Sequence, residues 1–252
     1  MQIPNIDARE RLIVALDLPT VEQARRMVES LGDAVTFYKV GLALQLAPGT
    51  GELISDLIRA GKRVFLDYKY YDISETLRKA VSRAATLGVS FLTVHGPSAL
   101  IRSAVEAKGQ SELKLFTVTV LTSMDTDDMK EMGYTQHSVE DLVLFRAGKA
   151  LEAGCDGVIA SGLEAKSIKA LSHGKLLVVT PGIRDEESPK DDQKRRTTAA
   201  GAILAGADYL VIGRPITENP NPRVEAERTL GRMQAAFDEL SGVAPRRTSG
   251  LV

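Results

Sequence analysis

Short, continuously apolar runs alternate along the chain with longer amphipathic segments. The segment from Thr20 to Leu31 is typical, because apolar residues recur there every three to four positions and Thr20 with Gln23 forms a capping-box pattern. Glycine readily adopts the left-handed conformation that ends helices. Seven glycines each follow such a helical pattern and precede an apolar run: Gly32, Gly61, Gly88, Gly109, Gly154, Gly174 and Gly206. The pattern predicts strands and helices in regular alternation.

The apolar runs predict eight strands. They cover residues 12–16, 35–38, 64–66, 91–94, 115–121, 158–160, 176–179 and 209–212. Strands that are apolar on both faces are typical of parallel sheets covered by helices. Eight such units favour a single-domain α/β fold, a closed (β/α)₈ TIM barrel over residues 1–241, followed by a flexible tail over 242–252. An open dinucleotide-binding sheet is the rival fold, but no run is followed by the G-x-G-x-x-G motif.

Polar residues follow nearly every predicted strand. In a (β/α)₈ barrel the active site lies at the carboxyl ends of the strands. The residues at these ends are Asp17, Lys39, Asp67 with Lys69, His95, Thr122 with Ser123, Ser161, Thr180 to Gly182, and Gly213 with Arg214. Any one of them could simply begin a loop. Because lysine or aspartate recurs on three successive strands, the set together indicates a functional site.

The densest charged cluster comprises Asp67, Lys69 and Asp72, with Lys39 on the neighbouring strand. Strand alternation directs Asp67 and Lys69 to the same side. Opposite charges about 4 Å apart attract by roughly 4 kcal/mol at an effective dielectric constant near 20, so the four groups keep one another ionised. An ionised Lys69 suits a proton donor and not a Schiff base, which needs a neutral amine. A structural salt-bridge cluster is the alternative.

Two further features concern ligands. Lys39 would place a positive charge beside the carboxylates that a divalent metal needs, so we expect no metal and no cofactor. Gly213 and Arg214 follow the last strand, where (β/α)₈ barrels often bind phosphate; a solvent-facing arginine is the alternative. The polar segment 183–196 contains Arg184, Gln193, Arg195 and Arg196, and we expect either a solvated loop or a lid that closes on phosphate.

The overall charge indicates no macromolecular partner. The 252 residues include 32 Lys and Arg against 33 Asp and Glu, a net charge of -1, so we expect neither nucleic acid nor an anionic membrane as a partner. Cys155 is the only cysteine, which indicates a reducing compartment. The amino-terminal residues lack the apolar stretch of a signal peptide, and no run is long enough to span a membrane. We therefore expect a cytoplasmic protein.

Taken together, these motifs resemble the orotidine 5'-phosphate decarboxylase family. The most specific elements are Asp67-x-Lys69-x-x-Asp72-Ile73-x-x-Thr76 and Ile212-Gly213-Arg214-Pro215. Val14 to Asp17, Tyr38 to Gly41, Val118 to Ser123, Pro181 to Arg184, and Asp192 with Gln193 extend the resemblance from the first strand to the last. Ser74 and Glu75 stand where the family usually shows Pro-Asn. This departure lies at the start of the helix that follows the third predicted strand.

The resemblance implies a cofactor-independent decarboxylation of orotidine 5'-phosphate to UMP, in a homodimer with active sites at the interface. By this analogy Lys69 protonates the carbon that loses CO₂, Asp67 lies against the departing carboxylate, and Lys39 with Asp17 contacts the ribose. Further substrate contacts come from Thr122 and Ser123 on the pyrimidine side, from Pro181, and from Arg184, Gln193, Gly213 and Arg214 on the phosphate side. Asp72, Ile73 and Thr76 would reach into the partner's site.

Two other functions stay open from the sequence. One is a Mg²⁺-dependent sugar-phosphate decarboxylase or aldolase on the same barrel, although Lys39 stands where those enzymes look to have a carboxylate. The other is a catalytically silent barrel that binds phosphate and regulates a partner. Such a protein has little reason to hold two lysines and two aspartates together.

Overall fold

The protein forms a closed barrel of eight parallel strands that pair in chain order, as the sequence predicts. The structure is a computed structural model that describes residues 6–185 and 192–242. The strands are β1 Leu12–Ala15, β2 Phe37–Gly41, β3 Arg63–Tyr70, β4 Phe91–Val94, β5 Lys114–Val118, β6 Gly157–Ile159, β7 Leu177–Thr180 and β8 Tyr209–Ile212. The predicted (β/α)₈ barrel is therefore confirmed.

Helices connect successive strands on the outside of this single domain. They are α1 Val21–Leu31, α2 Leu42–Gln45, α3 Thr50–Arg59, α4 Ser74–Leu87, α5 Ser98–Lys108, α6 Thr126–Glu131, α7 Val139–Glu152, α8 Ala165–Leu171, α9 Ala199–Leu204, α10 Arg214–Thr217 and α11 Pro222–Ser241. The seven glycines predicted to end helices all have positive φ. None of the helices within 6–185 and 192–242 combines the length and apolarity needed to cross a membrane.

The strand boundaries differ from the sequence prediction on the side of the barrel that carries the charges. Strand β2 continues to Gly41 and β3 continues to Tyr70, so Lys39, Asp67 and Lys69 lie within strands and do not follow them. Apolar runs alone could not show this, because a charged residue normally ends a buried strand. Here opposite charges on neighbouring strands neutralise one another, and both strands continue beyond the apolar runs. The tail predicted over 242–252 lies, beyond Gly242, outside the described residues.

An aromatic layer fills the barrel interior beneath these charges. Phe37, Phe65, Phe91, Phe116 and Tyr209 are all buried there and form contacts from neighbouring strands. The ring centroids of Phe91 and Phe116 are 4.5 Å apart, and those of Phe37 and Phe91 are 4.9 Å apart. Side chains alternate along a strand. Lys39, two positions after Phe37 on β2, and Asp67, two positions after Phe65 on β3, therefore point into the barrel above an apolar floor.

Candidate active site

A cavity of about 590 Å³ opens at the carboxyl ends of the strands. Eleven residues that the sequence predicts as site residues line it: Asp17, Lys39, Asp67, Lys69, Thr122, Ser123, Pro181, Arg184, Gln193, Gly213 and Arg214. Phe65 and Val118 form part of its apolar floor. His95 and Ser161, which the sequence places in the same polar ring, are not among the described residues that line this cavity. The cavity thus has a charged side and a side rich in hydrogen-bond donors.

Four charged side chains form an alternating array in the cavity. The Nζ atom of Lys39 lies 2.8 Å from Oδ1 of Asp17 and 3.6 Å from Oδ2 of Asp67. The Nζ atom of Lys69 lies 3.0 Å from Oδ1 of Asp67. The array therefore runs Asp17, Lys39, Asp67, Lys69, with a carboxylate at one end and an ammonium group at the other. We call these four residues the charge array.

Burial differs along the charge array. The side chains of Lys39 and Asp67 are 8% and 16% exposed, whereas Lys69 is 33% and Asp17 50% exposed. Burial by itself raises the pKa of Asp67, but the ammonium groups of Lys39 and Lys69 and the hydrogen bonds from Lys69 and Thr93 outweigh it, and the pKa lies below its ordinary value. Asp67 is therefore a largely buried carboxylate whose pKa is lowered by the two cations that hold it.

Lys69 reaches the charge array through an unusual backbone conformation. Its φ is +50°, in the left-handed region that side chains other than glycine rarely adopt, and the pairing of β3 with β4 shifts register between Leu66 and Tyr70. Simple strand alternation, which the sequence argument assumes, is therefore not the cause of the contact with Asp67. Such a conformation costs about 1–3 kcal/mol and persists where surrounding contacts enforce it.

Thr93 supplies one of those contacts and is absent from the residues predicted from sequence. Its hydroxyl accepts a hydrogen bond from the backbone N–H of Lys69 at 2.9 Å and donates one to Oδ1 of Asp67 at 3.0 Å. Thr93 is fully buried in the centre of β4. A hydroxyl in an otherwise apolar strand, Phe91-Leu92-Thr93-Val94, is the signal in the sequence that could have identified it.

The Thr93→Val substitution keeps the side-chain shape and removes both hydrogen bonds. We expect kcat for the reaction proposed below to fall about tenfold to 100-fold, the equivalent of one hydrogen bond to a charged group. The reason is that the Lys69 backbone and Asp67 would no longer be joined. Steady-state kinetics checks this, with Thr86→Val on the exposed face of α4 as the matched control. Unchanged turnover in Thr93→Val would remove the hydroxyl from this role.

Three predicted residues lie outside the cavity. Asp72, Ile73 and Thr76 are exposed at the start of α4, and Oδ1 of Asp72 accepts the backbone N–H of Ile73 at 2.7 Å. No hydrogen bond or ion pair joins Asp72 to the charge array. The sequence argument, which takes the second carboxylate of the cluster to be Asp72, is wrong within one chain. Asp17 occupies that position, because β1 lies beside β2 in the closed barrel.

The side of the cavity opposite Lys69 carries donors that suit an anion. Arg214 is the first residue of α10 and forms an ion pair with Asp192. The hydroxyl of Thr122 donates to Oε1 of Gln193 at 2.5 Å, and a guanidinium N–H of Arg184 donates to the carbonyl of Ile183 at 2.8 Å. Residues 186–191 of the predicted lid lie outside the described residues.

The sequence predicts that Arg195 donates to an anion, but its guanidinium pairs with a carboxylate of the protein. Its guanidinium lies 2.6 Å from Oε1 of Glu164, and both side chains are buried. Arg195 is not among the described residues that line the cavity. The position of Arg195 in a polar segment could not indicate a buried acidic partner between β6 and α8.

Comparison with known proteins gives consistent similarities. The model of the orotidine 5'-phosphate decarboxylase / HUMPS family matches residues 10–229. An orotidine 5'-phosphate decarboxylase from Nitrobacter winogradskyi is 54% identical over 230 residues, which cover 91% of this chain and 95% of that protein. One from Methylococcus capsulatus is 46% identical, covering 92% and 95%. The crystal structure of orotidine 5'-phosphate decarboxylase from Lactobacillus acidophilus has a TM-score of 0.77 at 34% identity, covering 88% of this chain and 98% of that chain.

Proposed function

The chain belongs to the orotidine 5'-phosphate decarboxylase / HUMPS family, and we propose that its cavity converts orotidine 5'-phosphate to UMP and CO₂ in pyrimidine biosynthesis. The observation that carries the proposal is the charge array, which places an ionised Lys69 3.0 Å from a buried aspartate at one side of a cavity whose other side offers Arg184, Gln193 and Arg214. Cation and carboxylate are thus fixed before substrate binds, as a carbanion reaction requires.

Lys69 is the proposed proton donor. In the reaction the bond between ring carbon C6 and the carboxylate breaks, CO₂ leaves, and the electron pair stays on C6. The Lys69 ammonium then gives a proton to C6 and is reprotonated from solvent. Negative charge on C6 develops only as the bond breaks, so an ammonium held in place beforehand stabilises the transition state more than the bound substrate.

The other cavity residues are proposed to hold the substrate in register with Lys69. Asp67 faces the departing carboxylate and fixes the Lys69 ammonium, while Lys39 and Asp17 contact the ribose hydroxyls. Thr122 and Ser123 lie on the pyrimidine side. Pro181, Arg184, Gln193, Gly213 and Arg214 form the phosphate side. Binding energy from the phosphate, remote from C6, supports the arrangement of the reacting groups.

The Mg²⁺-dependent alternative is disfavoured by the position of Lys39. Its ammonium lies between the carboxylates of Asp17 and Asp67, at 2.8 and 3.6 Å, where a metal would need those oxygens. The parts of the chain that the structure describes hold no group of three metal-binding side chains. We therefore propose a reaction without metal or organic cofactor.

Chelation separates these two functions. We expect the decarboxylation of orotidine 5'-phosphate to keep its full rate after exhaustive treatment with EDTA. The loss of substrate absorbance measures this rate. Adding Mg²⁺ back to the treated enzyme is the control and should change nothing. Activity that disappears on chelation and returns with Mg²⁺ would contradict the proposal and favour the sugar-phosphate enzyme.

A homodimer with shared active sites is proposed for the residues that lie outside the cavity. Ile73 is 70% exposed and Tyr71 is 65% exposed, so large apolar side chains are exposed on both sides of Asp72 in the sequence. We propose that Asp72, Ile73 and Thr76 enter the partner's cavity.

We further propose that 1–241 is one catalytic domain, that 242–252 is a tail, and that the enzyme is cytoplasmic.

Mixing two inactive variants tests the shared site. Lys69→Ala and Asp72→Ala should each be inactive alone, whereas an equimolar mixture that is allowed to exchange subunits should regain about a quarter of the wild-type activity, because half of the dimers contain one intact site. Steady-state rates before and after exchange measure this. A mixture that stays inactive while sedimentation shows mixed dimers would contradict the proposal, as would a monomer.

A further inference from the structure

The guanidinium of Arg195 joins its own segment to two others around the cavity. Nη1 donates to Oε1 of Glu164, between β6 and α8, at 2.6 Å. Nη2 donates to the carbonyls of Val120 at 2.9 Å and Leu121 at 3.1 Å, just after β5. These contacts use the planar fork of the guanidinium, which a single ammonium group cannot reproduce. Arg195 therefore ties the end of β5 to the loop after β6.

The backbone of Arg195 is tied to the same two segments. Its N–H donates to the carbonyl of Thr122 at 3.1 Å, and its carbonyl accepts the hydroxyl of Ser161 at 3.3 Å. Two residues earlier, Gln193 accepts the hydroxyl of Thr122 at 2.5 Å. Thr122 and Gln193 both line the cavity. Thus the segment 193–195 is fixed at one end by Arg195 and presents Gln193 to the cavity at the other.

The pair of Arg195 and Glu164 is poorly suited to a purely stabilising role. The side chains are 10% and 7% exposed, so both charges have lost most of their hydration. Burial raises the pKa of Glu164, although the charge of Arg195 and its hydrogen bond act in the opposite direction. Buried ion pairs are often no more stabilising than apolar residues of the same size, and their better supported role is to fix a particular arrangement.

We infer that Arg195, held by Glu164, is a positioning residue that fixes Gln193 on the substrate's phosphate side. It does not touch the substrate. The inference rests on the proposed decarboxylation, since it concerns how the phosphate of the same substrate is held. Loss of Arg195 should therefore affect substrates that carry the phosphate and spare those that lack it.

The test compares two substrates on two variants. Relative to wild type, Arg195→Ala should lower kcat/KM for orotidine 5'-phosphate about 100-fold, the effect of misplacing a binding group by about 1 Å. It should lower kcat/KM for orotidine, which has no phosphate, by less than about threefold. The Kd for UMP, measured by calorimetry, should rise about tenfold, as for one charged hydrogen bond. Arg195→Lys keeps the positive charge facing Glu164 but loses the planar guanidinium. It should again lower kcat/KM more for orotidine 5'-phosphate than for orotidine, with a smaller loss than Arg195→Ala.

Lys194→Ala is the matched control. Lys194 is adjacent, 44% exposed, and pairs with Asp125 and Asp128 on the outside of the barrel. Its removal should leave both kcat/KM values within about twofold of wild type, as for other exposed ion pairs. The control thus separates loss of a cation on this segment from loss of the buried contacts.

The outcomes separate the inference from the function. An equal loss on both substrates, or wild-type kinetics in Arg195→Ala, would overturn the positioning role. If Arg195→Ala does not fold, Arg195→Lys decides in the same way. A wild-type enzyme that does not decarboxylate orotidine 5'-phosphate would instead overturn the proposed function.

Discussion

Replacing Lys69 by alanine is expected to lower kcat for orotidine 5'-phosphate by at least about 10⁴-fold. General acid catalysis contributes about 10²–10⁴-fold, and a preorganised charge at the reacting atom a further 10²–10³-fold. Lys69 supplies both, because the same ammonium group stabilises the carbanion and then protonates it. The loss should fall on kcat, since the charge is needed only as the bond breaks. Steady-state and single-turnover kinetics measure it.

Binding of UMP is the control for Lys69→Ala. The product carries neither the carboxylate nor a charge on C6, so we expect the variant to bind it with a Kd within about tenfold of wild type, less than the loss in kcat by a wide margin. Lys130→Ala, at an exposed ion pair with Asp127 on α6, is the matched surface variant and should be fully active. A Lys69→Ala enzyme with a tenth of the wild-type turnover would remove Lys69 from its role.

Replacing Asp67 by asparagine is expected to lower kcat about 10³-fold. Asparagine keeps the size and can still accept the hydrogen bond from Thr93, but it removes the negative charge between Lys39 and Lys69. The buried ammonium group of Lys39 and the partly exposed one of Lys69 would then face each other across a neutral amide, and Lys69 would no longer be held toward the cavity. Breaking a buried charge network costs about 3–5 kcal/mol of free energy. Because Lys69 loses its alignment, we expect this cost to appear as a lower kcat.

The pH profile of the wild type gives an independent check on Asp67. Since the pKa of Asp67 lies below its ordinary value near 3.8, the carboxylate stays ionised in the folded enzyme at every pH above that value. Its contribution is lost only as the pH falls through the lowered pKa. We therefore expect no loss of kcat/KM from Asp67 above about pH 4.

Near wild-type turnover in Asp67→Asn would contradict the role given to this residue. Asp127→Asn is the surface control.

The barrel could be predicted because its signal is local and repeated. The seven predicted glycines each have positive φ and follow a helix within three residues, and most strand residues are apolar, so eight units of this kind leave few alternatives at this length. The carboxyl ends of parallel strands meet at one edge, so this rule predicts that Asp17, Lys39 and Arg214 line one cavity.

The parts of the site that could not be predicted depend on contacts between distant segments. The φ of +50° at Lys69 follows from the register shift between β3 and β4, and Thr93 bridges these strands. The polar neighbours of Arg195 predict an anion as its partner, whereas Glu164 holds it from 31 positions away. Closeness in sequence predicts that Asp72 lies with Lys69, yet α4 begins before the chain can turn back.

The most direct test is the crystal structure of the UMP complex, which locates Lys69 relative to the reacting carbon. We predict that Nζ of Lys69 lies within about 3.5 Å of C6 of the bound UMP, the separation expected of groups poised to react, while it keeps its contact with Asp67. The phosphate should lie against Arg214. A complex in which Lys69 points into bulk water, with another proton donor or none at C6, would contradict the account.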